Sequence, residues 1–362
     1  MLSTAKQQFK YAYPCLVFYY KVIFLTSLHK KIRCYRKLKF IVIGYLSTLL
    51  IFGCTSAADK VLSINSITQS SSSVKNSSYQ IINTTTIKAD GKDIGKSAYE
   101  LIEDAFGSRS IEAPDFYSND HNEMPHIIES FDNEVGHHFV FLAHRDLDFD
   151  RGKKGDRQRN EIKVYGNSPE ALKAKEGETF QYSWKFKVSS EMSLSERFSH
   201  FFQIKARNHT PEQHDNKNGN DAQPVITLSG AETKEFGQQL QVRHSVGNAP
   251  DGKRIKGTYL TSVDWSLITD AWLEVFVQTT FAEANEGGRF EILIKRVADG
   301  STIIDISEEN IDMWRGQISK DFSRPKWGIY RSLAIPESLR ADEEQVKFAD
   351  FTVSRVRLVR SP

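Results

Sequence analysis

Beyond residue 137 the chain is a succession of short runs in which apolar and polar positions alternate. The runs are His138–Ala143, Arg159–Tyr165, Phe180–Val188, Phe198–Ala206, Pro224–Ser229, Gln239–Ser245, Trp272–Thr280, Arg289–Val297, Lys326–Arg331 and Val346–Val359. A period of two puts successive side chains on opposite faces of an extended strand. Turns rich in Gly, Asn and Asp separate the runs, among them Asp215–Asp221, Gly247–Gly252 and Glu286–Gly288. Helical periodicity is confined to Gly95–Phe106 and Ser168–Lys175. Many strands with almost no helix predict an all-β fold, a two-sheet antiparallel β-jelly-roll sandwich, over residues 90–362.

The alternation also sorts side chains by face. Arg157, Arg159, Glu161, Lys163 and Tyr165 share one side of their run, while Ile162 and Val164 point to the core. Gln203 and Lys205 oppose Phe202 and Ile204, and Lys326 and Tyr330 oppose Trp327 and Ile329, with Gly328 expected to clear space between Lys326 and Tyr330. A solvated outer sheet explains any one of these strands. Their recurrence favours the floor of a concave, cationic groove.

Composition narrows the class. The 362 residues are 39% hydrophobic and 26% charged with a formal net charge of +2, so the chain can bury a large core. A polyanion must then be met by a local patch and not by the field of the whole molecule. Nucleic acid is not an expected partner. The three cysteines, Cys15, Cys34 and Cys54, all precede the alternating region, which excludes disulfides, thiolate metal sites and cysteine nucleophiles from it.

The N-terminal region has a different character. Lys30, Lys31, Arg33, Arg36, Lys37 and Lys39 precede the apolar run Phe40–Gly53, then Cys54-Thr55-Ser56-Ala57. This is the order of a secretory signal, a basic segment before a short apolar one and small residues at the cut. Ile51-Phe52-Gly53-Cys54 resembles a bacterial lipobox, which makes Cys54 a lipidation site. A spanning anchor is the competing reading, but the run is shorter than the roughly 20 apolar residues it needs. The expected organisation is therefore an export segment over 1–53 and a flexible tether over 54–89, carrying an exported bacterial lipoprotein at the outer membrane, cell surface or periplasm. Residues 1–29, with a second apolar stretch at Tyr11–Leu28, fit either an over-long start or a first membrane-inserting segment.

Four segments together carry a family resemblance: Asp156–Lys163 (DRQRNEIK), Gly177-Glu178 ahead of Tyr182–Phe186 (YSWKF), Phe202–Lys205 (FQIK) and Pro325–Arg331 (PKWGIYR). Over most of 135–356 their order and spacing resemble the heparin-lyase-like jelly-roll polysaccharide lyases of bacteria. That resemblance implies cleavage of a uronic-acid polysaccharide by β-elimination to unsaturated oligosaccharides, with endo action expected. It also implies that Lys326 and Tyr330 line the cleft and that Tyr330 is catalytic. Heparin lyases carry a His shortly after the cleft Gln. Lys205 stands there in this chain, which directs the resemblance toward the related lyases for ulvan-like and glucuronan-type uronans.

β-Elimination removes the C5 proton of a uronate and expels the group on O4, so the sugar carboxylate must be neutralised as the enediolate develops. Gln203, Arg159 and Arg243 are candidates for that contact. Tyr330, beside cationic Lys326, is the acid, or acid and base together in a syn elimination. His244 and Lys205 are candidate bases, although alternation places His244 on the Leu240/Val242 face. Glu161 orients Arg159 or Lys205 by an ion pair. No metal ligand and no cofactor is assigned; Asp146, Asp148 and Asp150 offer hard oxygen ligands for a structural calcium, but acidic turns are usually just solvated. The expected partners are an acidic polysaccharide and, through the lipid, a membrane; a monomer is expected. Two rivals remain, a non-catalytic glycan-binding lipoprotein and a glycoside hydrolase on a similar sandwich. The hydrolase needs two carboxylates across the cleft, for which Glu274 and Glu291 are the candidates.

Overall fold

A computed structural model describes residues 78–153, 155–209, 221–247 and 255–359. The export segment, Cys54 and most of the tether lie outside them, as do most of the turns expected at 215–221 and 247–252. The strands are β1 (Ser78–Ile87), β2 (Ile111–Glu112), β3 (Ile127–Asp132), β4 (Gly136–Ala143), β5 (Arg157–Lys163), β6 (Thr179–Val188), β7 (Ser199–Arg207) and β8 (Ile226–Thr233). They continue as β9 (Gly237–His244), β10 (Thr258–Asp264), β11 (Leu273–Thr280), β12 (Arg289–Arg296), β13 (Thr302–Glu309), β14 (Phe322–Ser332) and β15 (Glu344–Val359). The protein is an all-β jelly-roll sandwich of two antiparallel sheets. One sheet runs β13-β12-β11-β6-β15-β4-β3, with β1 added on β15; the other runs β10-β9-β8-β7-β14-β5-β2.

The core forms where the inward positions of central strands meet. Trp184 of β6 lies 4.5 Å from the Phe202 ring of β7 and 5.8 Å from Trp327 of β14, centroid to centroid. All three are essentially inaccessible to solvent. Helix α1 (Ala98–Phe106) begins with a capping box, in which the Ser97 side chain accepts from the Glu100 amide and the Glu100 side chain accepts from the Ser97 amide. It buries Ile102 and Phe106, and Phe106 stacks on Trp327 at 6.0 Å.

Two expectations are corrected. Residues 78–87, assigned to the tether, form β1 and pair with β15 from Ser78↔Val359 to Ile87↔Phe351. The side chains of residues 79–86 are exposed or half-buried, so the strand is held by its backbone ladder and left little apolar pattern to read. At Ser168–Lys175 the helical signal yields only a 3-10 turn, Glu170–Leu172, with Pro169 before it.

Candidate functional site

Pairing in the second sheet aligns two rows of same-face residues across five strands. One row is Gln241, Ser229, His200, Tyr330 and Arg159; the other is Arg243, Thr227, Gln203, Lys326 and Lys163. Glu161 lies between them on β5, opposite Gly328. The rows unite every groove residue expected from the sequence except Lys205, which pairs with Arg324 farther along β7, and His244. Gly328 has a different task from the one expected. Its φ is +139°, and a Cβ there would collide with the Asn160 carbonyl and the Glu161 backbone, so glycine is needed for the close approach of β14 to β5.

Over the part of this floor formed by Arg159, Lys163 and Lys326 lies a cavity of about 680 Å³ lined by eight cationic side chains, Arg109, Arg151, Arg159, Lys163, Lys205, Arg207, Arg324 and Lys326, against the carboxylates of Glu103, Glu112 and Asp221. Its base is an ion-pair lattice. Lys326 Nζ lies 2.5 Å from Glu161 and 2.9 Å from Glu112. Arg159 donates to Glu161 at 2.5 Å and to Asp150 at 2.8 Å. Lys163 pairs with Glu112 at 2.6 Å, and Gln203 donates to Glu161. Glu161 thus orients Arg159 and Lys326. Burial would raise the Glu112 carboxyl, but Lys326, Arg159 and Lys163 outweigh it and hold the group well below the usual range. Glu112 is thereby fixed as an anion.

Lys205 differs from the other cations. Among the described residues its ammonium has one weak contact, the Ala222 carbonyl at 3.4 Å. Burial, reinforced by the charges of Lys326, Arg159 and Arg324, pushes its pKa down to about 7. A large neutral fraction is therefore present near neutrality, as a base requires.

Tyr330 lies on the same face, in the row that runs from Gln241 to Arg159. The Arg159 guanidinium lies 3.7 Å above its ring, and Arg157 donates to its hydroxyl at 3.0 Å. Phe198 and His200 pack against it, with centroids at 5.1 and 5.9 Å. His200 is the residue the sequence reading missed. Strict alternation from Gln203 and Lys205 puts it on the core face. The ladders to both neighbours of β7 shift register here, between His200 and Phe202 against β8 and between Trp327 and Tyr330 against β14. This irregularity sends Phe201 and Phe202 both inward and brings His200 to the groove. Burial and the nearby Arg243 and Arg159 charges push its pKa down to about 3, and Ser229 holds its Nδ1 at 2.7 Å. It stays neutral beside Tyr330. Gln241, 2% exposed in the same row, was also missed.

The remaining candidates separate. Arg243 lies on the groove face, its guanidinium 4.7 Å over the Tyr259 ring. His244 lies on the opposite face of β9, 6% exposed, with Nε2 donating to the Asp312 carbonyl at 2.6 Å. The fold therefore takes His244 out of the groove. Asp146, Asp148 and Asp150 do not converge on a calcium: Asp146 faces Arg145, Asp148 faces histidines and Asp150 faces Arg159. Glu274 and Glu291 lie on β11 and β12 of the other sheet, remote from a cleft on this one.

No sequence family and no curated protein matches the chain. Solved structures of similar shape include the marine PL-14 alginate lyase from Aplysia kurodai, at 8% identity and a TM-score of 0.49, covering 76% of this chain and 98% of that one. Alginate lyase Aly36B matches at 11% identity and a TM-score of 0.47, with 76% and 99% covered. Alginate lyase vAL-1 from Chlorella virus matches at 8% and 0.42, with 76% and 100% covered.

Proposed function

We propose that the protein is a polysaccharide lyase that cleaves a uronic-acid polysaccharide by β-elimination. The observation that carries this reading is one cationic groove face that holds both a partly deprotonated amine, Lys205, whose charge reaches His200, and a cation-supported phenol, Tyr330, packed on that same His200. Arg243, Gln203 and Lys326 meet the uronate carboxylate and stabilise the enediolate. Neutral Lys205 takes the C5 proton. Tyr330 gives its proton to the departing O4, and the Arg157 hydrogen bond stabilises the phenolate left behind. Arg159, engaged by Asp150 and Glu161, holds the Tyr330 ring in place.

A hydrolase is disfavoured because its acid must be a protonated carboxyl in the cleft. Here Glu112 and Glu161 are consumed in ion pairs and Asp221 faces Arg207 at 3.8 Å, which leaves Glu103 without the second carboxylate that the reaction needs. Product analysis separates the readings: a lyase makes an unsaturated sugar that absorbs in the ultraviolet, a hydrolase makes only new reducing ends, and a binding lipoprotein makes neither. The substitution of Lys205 for the His of heparin lyases supports an ulvan-like or glucuronan-type substrate and endo action as the finer proposal. A panel of ulvan, glucuronan, alginate and heparin, with product sizing over time, tests it. Apparent affinity is expected to weaken as salt rises, since the cavity is open enough for counter-ions to screen it. Affinity that stays flat from low to high salt points to a neutral glycan.

Export as a lipoprotein remains part of the proposal. Cys54→Ala is expected to release the protein from the membrane fraction with activity on soluble polysaccharide intact. Retention in that fraction would make residues 40–53 an anchor.

A further inference from the structure

A second cluster of chemistry lies where the loops at the ends of the β3–β4 hairpin meet. His121 and His126 precede β3, and His144 and Asp148 follow β4. One ligand atom from each can be chosen such that all four lie within 4.8 Å of one another. His126 Nε2 is 3.2 Å from His121 Nδ1 and 3.0 Å from Asp148 Oδ1, and His121 Nδ1 is 2.9 Å from that same oxygen. His144 Nδ1 approaches Asp148 Oδ2 at 3.4 Å. The three rings are mutually near-perpendicular, at 82°, 82° and 90°. Metal–nitrogen bonds of about 2.0–2.1 Å in a tetrahedron imply ligand–ligand edges of about 3.3 Å; the His121, His126 and Asp148 atoms are already 2.9–3.2 Å apart, and the set with His144 fits within 4.8 Å.

The outer nitrogens fix which ring atoms point inward. His126 Nδ1 lies 2.9 Å from the Met124 carbonyl, which can only accept, so Nδ1 carries a hydrogen and Nε2 is the ring atom turned to Asp148 and His121. His144 Nε2 faces Glu343 at 3.0 Å, which assigns its hydrogen in the same way and leaves Nδ1 buried without a hydrogen-bond partner. His121 Nε2 is 3.7 Å from Glu123. Three ring nitrogens thus converge on one carboxylate, and a proton held between His126 Nε2 and Asp148 Oδ1 is what a metal ion would displace on binding. Carboxylates and a carbonyl behind the histidines are the outer partners that orient metal-bound imidazoles and raise their basicity.

We propose that His121, His126, His144 and Asp148 bind one zinc ion. Three imidazoles and one carboxylate suit a borderline divalent metal and not calcium, whose ligands are oxygens. Four protein ligands close the tetrahedron, and His126 and Asp148 have side-chain exposures of 0% and 1%, so the ion is structural. It ties the loop before β3 to the loop after β4. That second loop continues to Asp150, which holds Arg159, and to Arg151, which lines the groove. The site stands independently of the reaction proposed for the groove.

The test uses the full chain purified without a histidine tag or a metal column. Elemental analysis is expected to find about one zinc per chain. Chelation should lower the melting temperature by on the order of 10 °C, and added zinc should restore it. Cobalt in its place should give the intense visible bands of a tetrahedral ion. His144→Gln should lose stoichiometric zinc; if that variant does not fold, chelation and refilling of the wild type decide. The proposal is overturned if the wild type neither carries nor takes up zinc with a change in melting temperature, or if folded His144→Gln retains zinc one to one.

Discussion

Tyr330→Phe is expected to bind the polysaccharide nearly as the wild type does while turnover falls by roughly 10²–10⁴-fold, the usual effect of losing a general acid or base. The ring keeps its contacts with Phe198, His200 and the Arg159 guanidinium. Arg157 loses one acceptor but keeps its double contact with Asp156, at 2.9 and 2.6 Å. Only the proton-bearing oxygen disappears, so kcat should fall with KM little changed. The measurement is formation of the unsaturated product by folded, binding-competent variant on a confirmed substrate. A rate near wild type would make Tyr330 a lining residue and move the search for the acid to Lys205 and its neighbours.

The parts of the fold that alternation revealed are those whose strands bury one face. Each of the ten runs has its strand, because Trp184, Phe202, Trp327 and their neighbours must point inward together. The strands missed, β1, β2, β3, β10 and β13, are the edges of the sheets or the strand added on β15. Such strands pair on one side only. In β10 and β13 only Ile304 is buried, so their sequences carry little period to detect. The groove face of β5 and β14 was legible because those strands pair without a break from Lys326↔Lys163 to Ser332↔Arg157. His200 was not, because one irregularity in β7 inverts the parity of every position beyond it. The histidine–aspartate cluster was hidden for another reason. Its four residues come from loops on either side of a hairpin, and only the β3–β4 pairing brings them together.

Lys205→Met is expected to cost activity and add stability. Methionine keeps the length and apolar character of the lysine stem, so packing along β7 survives while the amine is lost. If that amine takes the C5 proton, turnover should fall by about 10²–10⁴-fold. The pH profile makes the assignment specific. Because the folded pKa is about 7 against an ordinary 10.5, wild-type kcat/KM should rise with pH and level off above about 7. Bound uronate carboxylates stabilise the ammonium, so the same limb in kcat should sit at higher pH. The residual activity of the variant should lack both limbs. Lys163 is also depressed to about 7, but it lies against Glu112 at 2.6 Å and is untouched by the substitution, so a limb that persists belongs to it. Stability follows from the same displacement. Between pH 7 and 10.5 the unfolded chain binds the proton that the folded protein has released. Wild-type stability therefore gains from this group as pH rises through that window, and its penalty is fully present below it. Lys205→Met removes the penalty and should be more stable than wild type at pH 7 by ~1–3 kcal/mol, allowing for the solvent that still reaches the ammonium. Denaturant melts at pH 7 and pH 10 should show that gap closing. A variant that turns over at the wild-type rate, with the acid limb in place, would remove Lys205 from the proton transfer and leave neutral His200, beside Tyr330, as the base to test.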